Sequence, residues 1–84
     1  MAKKTLQNLA ADYQVDNFGE YVCMTFINGN KRQAVELFYE MSPADRQEFL
    51  IDLHDGTFGL TLGNGPWQDN LFSRIIHSLR MLRK

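Results

Sequence analysis

Few residues in this chain have side chains suited to covalent chemistry. The main candidates are Cys23, His54, His77, Ser73 and the pair Glu36 and Glu40. Cys23 is the single cysteine, so no disulfide forms within the chain and multi-cysteine metal sites are ruled out. It stands in the apolar run YVCMTFI, where burial raises a thiol pKa and leaves the sulfur inert. Ser73 and His77 are four residues apart, close enough to touch on a helix. Nothing in the sequence supplies the third group or the oxyanion hole that such a pair needs. Glu36 and Glu40 share a face at the same spacing, but Lys31, Arg32 and Arg46 lie nearby. That pattern is a solvated, charge-paired edge and not a general acid with its base. Zinc would need His54, His77, Cys23 and a carboxylate to converge from three helices. His54, beside Asp55, is better placed as a helix-end residue that favours the dipole. The expectation is a protein with no catalytic residues, no metal and no cofactor.

The stretch HDGTFGLTLGNGPW, residues 54–67, holds four of the six glycines and the only tryptophan. A phosphate loop of the Walker type needs a glycine–lysine–serine/threonine ending, and this one reads GNGPW. A dinucleotide loop needs G-x-G-x-x-G after a strand, whereas these glycines fall at 56, 59, 63 and 65 after a helix. Pro66 also removes a backbone donor, and Asp69 puts a negative charge in the first turn of the helix that follows. Calcium fits no better, because a loop beginning at Asp52 has Gly63 in its twelfth place, where a glutamate is required.

Charge is balanced overall, at −1, so no global field attracts or repels nucleic acid. Its distribution is uneven. From Val35 to Asp55 there are six acids against Arg46 alone, while Asn70 to Lys84 holds four bases (Arg74, Arg80, Arg83, Lys84) and no acid. Those four, joined by Lys3 and Lys4, form a basic face suited to weak, nonspecific phosphate contact. A helix-turn-helix over 31–55 is rejected, because its second helix would carry Asp45, Glu48, Asp52 and Asp55 toward the phosphates.

The elements that must position these residues are helical almost throughout. Leu6, Leu9, Ala10 and Tyr13 recur at i, i+3, i+4, i+7 and predict a helix over about 5–13. Asn17 with Glu20 forms a capping-box pattern ahead of a helix over 17–28, which Gly29 ends. Asn30 with Gln33 repeats the pattern for 31–41, whose apolar positions are Ala34, Leu37, Phe38 and Met41. Ser42 caps a helix over 43–55, with Pro43 first, Asp45 in its first turn, Phe49, Leu50 and Leu53 inward and Gly56 as its stop. The last helix, 66–83, begins at Pro66 with Asn64 or Gly65 as cap and buries Leu71, Phe72, Ile75, Ile76, Leu79 and Leu82. The fold class expected is all-α: a single domain of four to five short helices with one long glycine-rich loop over 56–65. At 84 residues the chain buries roughly 60 to 65% of its unfolded surface, so self-association would add stability.

That loop leaves two readings open. Phe58, Leu60, Leu62 and Trp67 either fold down as a lid on the core or offer an apolar patch to a partner, with Phe58, Leu60 and Leu62 on one side of an extended strand. The N-terminal stretch has no apolar core of seven or more residues, and no run approaches the roughly 18 needed to span a bilayer. A cytoplasmic protein with no membrane association is therefore expected. In texture the chain resembles the small, motif-poor helical accessory proteins of phages and plasmids, which bind and modulate a host protein. The expected function is a non-enzymatic module that docks on a protein partner or on itself as a homodimer, with weak nucleic-acid association as the alternative.

Overall fold

The helix starts are set by side chains that accept the first free backbone N–H groups. In the computed structural model, which describes residues 5–82, the helices are α1 (Leu6–Asp12), α2 (Phe18–Ile27), α3 (Lys31–Tyr39), α4 (Pro43–Asp55), α5 (Gly59–Leu62) and α6 (Pro66–Leu82). Thr5 Oγ1 accepts from the Asn8 N–H at 3.2 Å, Asn17 Oδ1 from Glu20 at 3.0 Å and Ser42 Oγ from Asp45 at 3.3 Å. Asn30 makes no such bond, so the second capping box expected from the sequence does not close. For α6, Gln68 Oε1 reaches back to accept from the Gly65 N–H at 3.3 Å, which makes Gly65 the cap ahead of Pro66. The stops also follow from the residues. Gly56 takes a left-handed φ of 81°, and Thr57 donates its N–H to the Asp52 carbonyl at 3.0 Å. Gly29, at φ 101°, closes α2 in the same way.

The glycine-rich segment differs from the expected loop, because it contains α5. The N–H groups of Leu62 and Gly63 donate to the carbonyls of Phe58 and Gly59 at 2.9 and 3.0 Å, making one helical turn. The apolar alternation there is therefore not that of a strand. The cause is the buried ring of Phe58, which packs on Phe49 with ring centres 5.2 Å apart. It also lies against Gly19 of α2, where an added Cβ would come within 3.0 Å of the ring. With Phe58 held inside, local hydrogen bonds satisfy the short backbone stretch on either side of it.

The core draws on all six helices, and α2 and α6 form its centre. The α2 helix packs against α1, α3 and α6, and α6 also packs against α3 and α4. Val22, Cys23, Ala34, Phe38, Met41, Leu71 and Ile75 are wholly excluded from solvent. Each large side chain among them contributes roughly 1.5–3 kcal/mol through burial. Polar clamps join the helices at the rim. Tyr13 donates its hydroxyl to Glu40 at 2.5 Å, and the Tyr39 and Ser78 hydroxyls pair at 2.9 Å. Arg46 donates to the Met41 and Tyr39 carbonyls while its guanidinium sits 5.4 Å from the centre of the Tyr39 ring.

Candidate functional site

The residues with chemical potential are spread out, and several have a local explanation. Cys23 is fully buried, and desolvation pushes its thiol up to about 12, with the nearby Glu20 adding to the rise. A thiol held so far above its ordinary range supplies no thiolate nucleophile near neutral pH. Glu40 accepts the Tyr13 hydroxyl, and Glu36 pairs with Arg32 at 3.8 Å on the surface. His54 packs its ring against Phe72, centres 5.6 Å apart. Ser73 and His77 are exposed on α6 and share an open hollow with Asn70 and Arg74. Among the described residues, no group of three or more His, Cys, Asp or Glu side chains is placed to hold a metal ion.

The four apolar residues of the glycine-rich segment part company. Phe58 is core. Leu62 and Trp67 are half-buried against that core, and Trp67 donates its indole N–H to the Gly63 carbonyl at 3.0 Å, tying the segment down. Leu60 alone of the four faces solvent, with 86% of its surface exposed. A lid on the core and an exposed apolar side chain thus coexist in one connection.

Of the basic face expected of the last helix, Arg74 and Arg80 lie within the described residues. Arg74 and Arg80 are six residues apart, which turns them about 120° from each other around α6. Arg74 faces α3, sharing a hollow of about 640 Å³ with Lys31 and Arg32. Arg80, eight residues beyond Phe72 and so about 80° round the helix from it, is exposed. Arg83 and Lys84, with Lys3 and Lys4, lie outside the described residues, as does the side chain of Leu82.

The flank of α6 that faces α4 holds a feature absent from the sequence-based expectations. Leu50, Ile51, His54 and Phe72, bordered by Gln47 and Asp55, line a groove of about 420 Å³ between α4 and α6. Its walls are almost wholly apolar. Leu50 and Phe72 are half-buried in it, and Ile51 keeps 52% of its surface exposed. The signal was present in the run Phe49-Leu50-Ile51 followed by Leu53. At about 100° per residue, Phe49 and Ile51 point roughly 200° apart, so one core cannot take both. Phe49 and Leu53 go inward and Ile51 is left outside.

Among the described residues, no helix is long and apolar enough to cross a membrane. Compared with protein-family models, with curated proteins and with solved structures, the chain matches none of them.

Proposed function

We propose that this protein is a non-catalytic docking module whose working surface is the apolar groove between α4 and α6. The observation that carries the reading is Ile51, a large β-branched side chain more than half exposed beside half-buried Leu50 and Phe72. A polar residue at position 51 would leave the core untouched, since the core is filled by Phe49 and Leu53 without it. Apolar side chains gathered in a concave seam between two helices suit the amphipathic face of a partner helix. An accessory protein that modulates a larger protein by covering part of its surface needs no more chemistry than this.

Weak nucleic-acid association has less support. Arg74 and Arg80 sit on different flanks of α6, and Arg32 is paired with Glu36, so no continuous phosphate track forms among the described residues.

The test places a benzophenone amino acid at position 51 and irradiates the protein in an extract of its source cell. Position 27 is the control, because Ile27 is also an exposed apolar residue, 40% accessible on α2. A covalent protein adduct from position 51 and none from position 27 is expected. Adducts from position 27 only would remove the groove from consideration.

A further inference from the structure

The hollow between the start of α3 and the middle of α6 collects hydrogen-bond donors and no carboxylate. Lys31, Asn70, Ser73, Arg74 and His77 line it together with buried Phe26, around about 500 Å³. Asn70, Arg74 and His77 stand at i, i+4 and i+7, one row along α6. From α3, Lys31 holds its ammonium 5.9 Å from the centre of the Phe26 ring. Among the described residues, none of the five polar side chains makes a hydrogen bond or an ion pair. Their donors are therefore open to a ligand. Carboxylates stand off. Glu36 lines only the neighbouring hollow and is paired with Arg32, and Asp69 lies about 140° around α6 from Arg74.

We infer that this hollow binds the phosphate group of a phosphomonoester. Two uncompensated cations match its two negative charges. The Arg74 fork can donate to two of its oxygens at once, while Lys31 supplies a point charge. Asn70 and Ser73 add neutral donors, and His77 offers an N–H in either of its charge states. Three terminal oxygens are needed to use so many donors. A phosphodiester brings two free oxygens and one charge, and a nucleic acid strand needs a run of cations that this single cup does not provide. The hollow is about 160° around α6 from Phe72, so the site is separate from the groove and does not depend on it. Because its cations are exposed, binding is weak and falls with added salt.

The experiment is a titration followed by amide NMR on the full chain at about pH 7.5, where the monoester is a dianion. Inorganic phosphate, a blocked phosphoserine tripeptide and dimethyl phosphate are each added at matched ionic strength. Phosphate should shift the amides of Lys31, Asn70, Ser73 and Arg74 saturably, with a Kd near about 1 mM, reasonable for five heavy atoms. Dimethyl phosphate should bind at least about tenfold more weakly. Lys31→Gln and Arg74→Gln should each weaken phosphate binding at least about threefold. Arg80→Gln removes the same charge from exposed α6 surface outside the hollow, and should leave binding unchanged. A tripeptide that binds more tightly than inorganic phosphate supports the inference and assigns the phosphate to a modified protein side chain. Equal affinities support it with a small molecule as the source. The inference is overturned if phosphate gives no saturable shift at these amides or if dimethyl phosphate binds as well. It is equally overturned if Arg80→Gln weakens binding as much as Arg74→Gln, which would mean diffuse charge and no site.

Discussion

At the scale of single residues, several of the side chains able to do chemistry make structural contacts. Tyr13 and Glu40 show how. The hydrogen bond from the phenol to the carboxylate holds the proton on Tyr13, with partial burial and the Glu40 charge reinforcing it, and its pKa rises from 10.0 to about 12. The folded state thus binds a proton that the unfolded chain releases at lower pH. The stabilisation is fully present below pH 10, declines above it and is lost as pH rises through about 12. Tyr13→Phe should cost about 1 kcal/mol at neutral pH, a modest figure because the pair is only part-buried. Urea denaturation of both proteins from pH 7 to pH 12 checks this. The gap between them should close across the upper part of that range, and a gap that widens with pH would refute the hydrogen-bond assignment.

At the scale of elements, most of the fold was legible because caps and apolar spacing agree with each other. The range 43–55 matches α4 at both ends, since Ser42, Pro43 and Gly56 all act locally. The glycine-rich segment was not legible as a helix, because α5 depends on where Phe58 is held and not on its own sequence. Gly19 was equally silent in the sequence. It has no unusual φ, and its importance lies in Phe58, which arrives from 39 residues away. Gly19→Ala improves helix propensity by up to about 1 kcal/mol but overpacks the ring by about 1–3 kcal/mol. A net loss of about 1 kcal/mol is expected, or roughly 4–8 °C in Tm for a domain of this size. In a Phe58→Leu background the same change should become neutral or stabilising. Thermal denaturation of the four proteins decides this, and a Gly19→Ala protein more stable than the wild type would show that Phe58 does not depend on that space.

At the scale of the whole molecule, the chain has extents of 36 × 35 × 22 Å, and such a thin body leaves broad faces beside its core. The candidate site was the least legible part of the sequence. The run Phe49-Leu50-Ile51 implies that Ile51 is left outside, but that Phe72 of α6 lies beside it to make a groove is visible only in the fold. The central claim is that this groove is where the protein is covered. The four isoleucines are natural reporters of it: Ile51 in the groove, Ile76 on the same flank of α6, Ile75 in the core and Ile27 exposed on α2. The most direct measurement is an isoleucine methyl NMR spectrum, recorded on dilute protein, on concentrated protein and in an extract of the source cell. Ile51 and Ile76 should shift or broaden on concentration or in the extract, while Ile75 and Ile27 hold their positions. If Ile27 moves while Ile51 stays fixed, or if all four remain unchanged in every sample, the groove is not the docking surface.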